Sequence, residues 1–116
     1  MKLGKSLVRG KIYGMTIGLA LCASPALAEM CSFTLECFEG EACSETAFDI
    51  EIEGQTLVTD AETIPVEISG SETLGVFTGN TGSAIHVLTR ERHGDARYST
   101  HIFDGPLMVN YLGSCQ

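Results

Sequence analysis

The stretch Cys31–Cys43, which reads CSFTLECFEGEAC, decides the fold of this chain. It places Cys31, Cys37 and Cys43 within thirteen residues, and the next cysteine along the chain is Cys115, one residue from the C-terminus. Four cysteines in a small exported domain predict two disulfides. The stretch therefore predicts a domain whose two ends are joined through sulfur.

The spacing of the cysteines restricts how they pair. Polar residues alternate with apolar residues and cysteines from Cys31 to Cys37, which predicts a strand with both cysteines on one face. An extended strand would hold their Cα atoms ~20 Å apart, whereas a disulfide needs about 7 Å or less. A turn over 39–41 would bring Cys43 back to Cys37 and so favours a disulfide between them. Cys31 is then left to pair with Cys115. The crossed pairing, Cys31–Cys43 with Cys37–Cys115, stays open.

Residues 1–28 have the layout of a helical secretory signal peptide. An apolar run over 12–22 precedes the cleavage motif Ala26-Leu27-Ala28, and cleavage after Ala28 makes Glu29 the first residue of a single mature domain, 29–116. The run is shorter than the roughly 20 residues that span a membrane. We expect a periplasmic or secreted protein with no membrane span after cleavage. The alternatives are a lipoprotein acylated on Cys22 and a retained anchor.

Removal of the leader leaves a strongly acidic domain. The whole chain has 15 acidic and 7 basic residues. The leader takes Lys2, Lys5, Arg9 and Lys11 with it, so the mature net charge is 3 − 15 = −12. This balance argues against nucleic acid and anionic membranes as partners, because phosphate binding needs Lys and Arg. It leaves a cationic protein or peptide, or Ca²⁺, as partners for a monomer, and no cofactor is expected.

Period-two alternation predicts an all-β domain. The clearest strand is 46–53, where Phe48, Ile50 and Ile52 face one way and three carboxylates the other, followed by a two-residue turn at Gly54-Gln55. Seven or eight short antiparallel strands with turns every 8–12 residues indicate a small meander, closed as a barrel or folded as a sandwich. A disulfide between the two ends of the chain would hold the first and last strands close together, which favours closure of the sheet as a barrel.

A hairpin of strands 83–90 and 96–103 carries two histidines. A turn at His93-Gly94 pairs residues whose numbers sum to 187, and a turn at Gly94-Asp95 pairs those that sum to 189. Both registers place Tyr98 on the core side. Both also place His86 and His101 on the polar face. The two histidines are directly opposite in the 187 register, with Cβ atoms about 5 Å apart, and diagonal in the 189 register. Such a pair predicts a candidate metal or pH-sensing site.

Catalytic signatures are weak. No G-x-S-x-G elbow is present, and the spacing of the cysteines is not that of paired C-x-x-C zinc ligands. We therefore expect a protein that is not an enzyme: a non-enzymatic binding or envelope-associated module. One alternative is an inhibitor of a cationic enzyme such as lysozyme. A second is a small hydrolase that uses an acid–histidine pair near His101.

Two resemblances accompany these patterns. The segments C-F-E-G-E over 37–41, A-R-Y over 96–98 and Y-L-G-S-C over 111–115 resemble those of small exported alphaproteobacterial proteins, a likeness that implies no activity. More faintly, the chain resembles the periplasmic inhibitors of C-type lysozyme, small β-barrels whose serine-glycine loop enters the lysozyme cleft. That resemblance implies a partner-binding loop at Ser69, Gly70, Ser71 and Glu72.

Overall fold

The computed structural model describes residues 28–116 and shows an all-β domain. The predicted helical signal peptide, apart from Ala28, lies outside the described residues. There are nine strands rather than seven or eight: β1 (Glu29–Phe38), β2 (Ser44–Glu53), β3 (Thr56–Val58), β4 (Thr63–Pro65), β5 (Glu67–Gly70), β6 (Leu74–Asn80), β7 (Ala84–Glu91), β8 (Asp95–Ile102) and β9 (Leu107–Cys115).

All nine strands form one antiparallel sheet in the order β4-β3-β2-β1-β9-β8-β7-β6-β5. The first and last strands therefore pair in the middle of the sheet, and its two edges, β4 and β5, are consecutive in the chain. Only Val66 separates those edge strands, and its backbone N–H donates to Gln55 O at 2.9 Å. The sheet thus curls into a nearly closed barrel, the first of the two architectures that the sequence predicts.

The seam of the barrel depends on a glycine. A Cβ atom at Gly79 in β6 would lie 2.6 Å from Pro65 O and 2.8 Å from Ile64 Cγ2. Because glycine has no Cβ, β6 approaches the corner between β4 and β5 closely. Pro65 lies in an edge strand, where its missing N–H removes no ladder hydrogen bond.

The interior contains one hydrophobic core. Strand β2 turns its faces as predicted: Ile50 and Ile52 are buried, Phe48 is partly buried against them, and Asp49 and Glu53 are exposed. Burial of these aliphatic and aromatic side chains stabilises the barrel. The buried core residues are Cys31, Phe33, Ile50, Ile52, Leu57, Ile64, Val66, Phe77, Leu88, Ala96, Tyr98 and Cys115.

Both predicted disulfides are present, and the crossed pairing is absent. Cys31 and Cys115 are directly opposite in the β1–β9 register, with Cα atoms 3.9 Å apart. Cys37 and Cys43 close the turn from β1 to β2. The first bond lies at the start of β1 and the second near its end, so each end of the barrel has one disulfide.

Irregularities in β1 and β9 reverse the faces of β1 midway. The register shifts between Phe33 and Leu35 on β1 and between Leu112 and Gly113 on β9. Phe33 is buried before the shift, but Phe38 lines the interior after it, so Leu35 and Cys37 face outward. The prediction that Cys31, Phe33, Leu35 and Cys37 share one face is wrong.

The disulfides indicate a protein that folds in an oxidising compartment. Within residues 28–116, no helix has the length and apolar character needed to cross a membrane.

Candidate ligand-binding site

The register of the β7–β8 hairpin differs from both predictions. The structure pairs Arg90 with Ala96 and His86 with Thr100, so paired numbers sum to 186 rather than 187 or 189. Its turn contains His93 in the left-handed region, with φ at 55°, and a hydrogen bond of 3.0 Å from Gly94 N to Glu91 O. This turn leaves an odd number of residues between the paired residues Arg90 and Ala96, whereas both predicted turns leave an even number between paired residues. A shift of one residue moves every side chain of one strand to the opposite face.

The corrected register separates the two histidines. His101 is exposed and lies across from Ile85 on the outer surface, whereas His86 is turned into the barrel and is only 3% exposed. The two imidazoles therefore lie on opposite faces of the sheet. The predicted metal or pH-sensing pair of His86 and His101 is therefore wrong. Its cause is the register of the hairpin, in which paired numbers sum to an even value rather than to the odd values that a two-residue turn gives.

Inside the barrel, His86 belongs to a small hydrogen-bonded network. Its Nδ1 is 2.6 Å from Tyr98 Oη and 3.2 Å from Thr100 Oγ1, and the Thr100 hydroxyl donates to Tyr98 Oη at 3.0 Å. Since the Tyr98 oxygen accepts from Thr100, its own proton is directed to Nδ1. A neutral imidazole that accepts at Nδ1 carries its proton on Nε2. The network therefore makes His86 Nε2 a hydrogen-bond donor.

The environment keeps this network uncharged near neutral pH. Burial lowers the pKa of His86, while the Glu62 carboxylate acts in the opposite direction. Burial also raises the pKa of Tyr98, and the charge of Glu62 adds to that rise. A neutral imidazole and a protonated phenol are the forms that these shifts favour.

The donor at His86 Nε2 has no hydrogen-bond partner among the described residues, although it is buried. Leaving a buried polar group unpaired costs about 1–3 kcal/mol, and native proteins contain few of them. His86 is one of the residues that line a cavity. The barrel interior therefore contains a histidine with an unused hydrogen-bonding nitrogen.

The cavity has a volume of about 260 Å³ and lies at the end of the barrel where β1 and β8 finish and β7 and β9 begin. Aromatic rings form much of its wall: the centroids of Phe48 and Tyr111 are 4.7 Å apart, and those of Tyr98 and Tyr111 are 5.6 Å apart. The lining residues are Phe38, Phe48, Thr59, Ala61, Glu62, His86, Tyr98, Thr100, Ile102, Val109 and Tyr111.

A tight loop between β3 and β4 forms one lip of the cavity. Thr59 N donates to Glu62 O at 2.9 Å, and Glu62 N donates to Thr59 Oγ1 at 3.0 Å. These reciprocal bonds fix the loop that carries the Glu62 carboxylate. A second acid, Glu36, lies across from Tyr111, whose pKa is raised by burial and further by the Glu36 carboxylate. The cavity thus has carboxylates nearby, and none of its lining residues is Lys or Arg.

The opposite end of the barrel contains the loop that the lysozyme-inhibitor resemblance implies. Ser69, Gly70, Ser71 and Glu72 are exposed and line a second cavity of about 370 Å³. Ser71 N donates to Leu74 O at 2.9 Å, and Leu74 N donates to Ser71 Oγ at 3.0 Å. Ser69 and Gly70 are therefore the last residues of β5, and Ser71 and Glu72 belong to the hydrogen-bonded turn that follows.

Arg90 lies in the same cavity and has a charged partner. Its Nε is 2.8 Å from Glu29 Oε2, one terminal nitrogen donates to Glu72 O at 3.1 Å, and the guanidinium lies 5.5 Å from the centroid of Phe77. Burial of this charge is offset by an ion pair, a hydrogen bond and an aromatic face.

One group of three potential metal ligands occurs among the described residues. Glu29, Cys31 and Cys115 bring ligand atoms within 4.8 Å of one another. The two sulfurs are bonded to each other, however, so neither is a thiolate that could bind a metal.

Sequence reasoning missed the residues that surround His86. Tyr98 entered only as a core position, Thr100 with it, and Tyr111 only through the resemblance. Small side chains at Ala84 and Ala96, both buried, were the available signal that the even-numbered positions of the hairpin face inward.

Comparisons with known proteins add no identity to this geometry. No protein-family model, curated protein or solved structure matches the chain.

Proposed function

We propose that this protein is a non-enzymatic binding protein of the periplasm or the extracellular space, which takes a small ligand into the cavity beside His86. The observation that carries the proposal is that His86, whose buried Nε2 has no hydrogen-bond partner among the described residues, lines an aromatic cavity. The mouths of β-barrels are frequent ligand sites, where a few polar groups are set among apolar walls. A ligand that accepts a hydrogen bond from Nε2 would remove the cost of leaving that donor unpaired.

Export supports the same proposal. The leader over 1–28 is expected to be removed after Ala28, and β1 begins at Glu29, so cleavage there would leave every strand of the barrel intact. The disulfides suit the oxidising compartment that the mature domain would enter.

The arrangement of polar groups favours binding over catalysis. Nδ1 of His86 is engaged by Tyr98, and the Thr100 hydroxyl donates to the same tyrosine, so this network has no free nucleophile paired with a base. The hydrolase alternative near His101 stays a prediction: His101 lies on the outer surface and, together with Glu39, lines a cavity of about 680 Å³.

Two matched variants test the proposal. His86→Leu removes the interior donor, and His101→Leu makes the same substitution on the outer face. Amide resonances would be recorded during a screen of a small-molecule fragment library. We expect fragments that shift Tyr98, Thr100 and Tyr111 in the wild-type and His101→Leu proteins but not in His86→Leu. A screen in which no fragment perturbs these residues would contradict the proposal.

The exposed Ser69–Glu72 turn supports a second candidate, inhibition of a cationic enzyme such as lysozyme. Its residues are exposed, and two hydrogen bonds between Ser71 and Leu74 hold the turn. Inhibition of lysozyme activity at micromolar protein, lost when Ser69 and Ser71 are replaced by proline, is the expected result. Undiminished lysozyme activity in the presence of the wild-type protein would remove this candidate.

A further inference from the structure

We propose that the ligand of the His86 cavity is a small organic cation that carries a hydroxyl or carbonyl oxygen. This inference rests on the proposed binding function and specifies the chemistry of its ligand. Three features of the same cavity support it: the charges near it, the aromatic residues that line it, and the unpaired Nε2 of His86.

The charges near the cavity are negative. The Glu62 carboxylate on the β3–β4 lip acts on both His86 and Tyr98, and the Glu36 carboxylate acts on Tyr111. No lining residue is Lys or Arg, so within the described domain no cation of the cavity wall neutralises these acids. An anionic ligand would be repelled, whereas a cation would gain attraction from both carboxylates.

The aromatic walls suit the same charge. The rings of Phe48, Tyr98 and Tyr111 all border the cavity, with centroids between 4.7 and 5.9 Å apart. The face of an aromatic ring attracts a cation, and clustered rings are the usual means of binding a quaternary ammonium group. The rings also provide apolar contact for the alkyl groups around such a charge.

The donor of His86 adds a requirement for an oxygen on the ligand. Thr100 and Tyr98 together direct a proton toward Nδ1, which leaves Nε2 as a donor with no partner among the described residues. A cationic nitrogen cannot accept this hydrogen bond, but a hydroxyl or carbonyl oxygen on the same molecule can. The cavity volume of about 260 Å³ restricts the ligand to a small molecule, since drug-sized ligands occupy roughly 300–1,000 Å³.

Three probes of similar shape separate these requirements. Choline has the charge and the oxygen, 3,3-dimethylbutan-1-ol keeps the oxygen without the charge, and tetramethylammonium keeps the charge without the oxygen. Binding to the wild-type protein would be measured by amide shift titration at constant ionic strength. We expect choline to bind about tenfold more tightly than the uncharged alcohol, the order of effect of a cation over aromatic rings.

Variants then assign each contribution to a residue. Glu62→Gln should weaken both cations, and the matched control Glu53→Gln, which makes the same charge change at an exposed position of the opposite end, should not. His86→Leu should weaken choline several-fold but leave tetramethylammonium unchanged, because only choline carries an acceptor for Nε2. His101→Leu should affect none of the probes.

The outcomes distinguish this inference from the proposed function. Equal binding of choline and the uncharged alcohol, with shifts at Tyr98 and Thr100, would overturn the cation assignment and leave a binding site for neutral molecules. Shifts at these residues caused by a lysine-rich peptide but not by choline would overturn it in favour of a protein partner. Absence of any shift with all three probes would also overturn it, while the fragment screen would decide the broader function.

Discussion

His86 and Arg90 lie four residues apart on β7, and both turn into the barrel, yet the two ends of the molecule treat them differently. Arg90 is 7% exposed and has an ion pair, a hydrogen bond and an aromatic neighbour. His86 is 3% exposed and keeps a donor without a partner in the described domain. One end gives its buried polar group an oppositely charged partner, whereas the other leaves a hydrogen-bonding nitrogen without a partner. This contrast teaches which end supports the fold and which end is available for a ligand.

The disulfides follow the same division. Cys31–Cys115 is buried beside Glu29 at the Arg90 end and joins residues 84 positions apart. Cys37–Cys43 lies near the His86 end, joins residues six positions apart, and includes an exposed cysteine. The Arg90 end therefore has the bond that restricts the unfolded chain more strongly.

The largest expected effect concerns these two bonds. Replacement of Cys31 and Cys115 by alanine should lower the free energy of unfolding by about 4–5 kcal/mol, because the chain-entropy contribution grows with loop length. Replacement of Cys37 and Cys43 should cost about 2 kcal/mol on the same scale. Urea unfolding of both double variants measures the difference, and equal losses would contradict the division between the ends.

The next effect concerns the ion pair of Arg90. Glu29→Ala leaves a buried guanidinium without its carboxylate and should lower the free energy of unfolding by about 3 kcal/mol. Combining Glu29→Ala with Arg90→Met should recover much of that loss, because no uncompensated charge then remains. Glu53→Ala, at an exposed position, serves as the control and should change stability by less than about 0.5 kcal/mol. A Glu29→Ala protein as stable as the control would show that the pair is not needed.

A smaller effect is expected at the His86 end. His86→Leu removes an unpaired donor but also the acceptor of the Tyr98 hydroxyl, so the two changes oppose each other, and stability should change by about 1 kcal/mol or less. Arg90→Leu, which makes a comparable substitution on the same strand, should cost about 3 kcal/mol. Similar losses for the two variants in urea unfolding would remove the distinction between the ends.

The smallest expected effect is on pH dependence. Because burial lowers the pKa of His86, the unfolded chain binds a proton between its ordinary pKa of about 6.5 and the lower folded value, while the native state does not. This contribution makes stability fall as the pH decreases from about 7 toward 5. Tyr98, whose pKa is raised by burial, stays protonated over that range, and Glu62 is the nearby charged group.

Urea unfolding at several pH values between about 5 and 8 measures this contribution. The slope of stability with pH should be shallower in His86→Leu than in His101→Leu, since only the first variant loses the buried imidazole. Identical slopes for the two variants would contradict the assignment.

The sequence predicted much of the fold and little of the site. The reason is that the faces of β7 and β8 depend on whether the turn between them leaves an odd or an even number of residues unpaired. The faces of β2, the Gly54-Gln55 turn and the two disulfides depend on local alternation and on distance limits, which can be counted along the chain. The faces of β7 relative to β8 depend on how many residues the turn leaves unpaired. Alternation alone favoured the apolar side chains of Ile85 and Val87 for the core, yet Ile85 is 39% exposed.

The position of His86 could not be recovered from spacing. A histidine opposite Thr100 rather than diagonal to His101 requires the register of a turn that contains a left-handed His93. Turns that differ in length by one residue have nearly the same amino-acid composition. Each such change nevertheless moves the side chains of one strand from the inner face of the sheet to the outer face. The residues that approach the cavity from other strands, Tyr111 and Glu62, come together only when the barrel closes.

The pairing of β1 with β9 determines the order in which the barrel can form. The first strand to emerge has an edge that remains open until residues 107–115 arrive, the last part of the chain. Hairpins such as β7–β8 can form early from local contacts, but closure depends on a contact between the two ends and is therefore the slow, entropically demanding step. As the chain folds, the unpaired edge of β1 is the segment exposed longest to misassociation, and oxidation of Cys31 with Cys115 marks completion of the barrel.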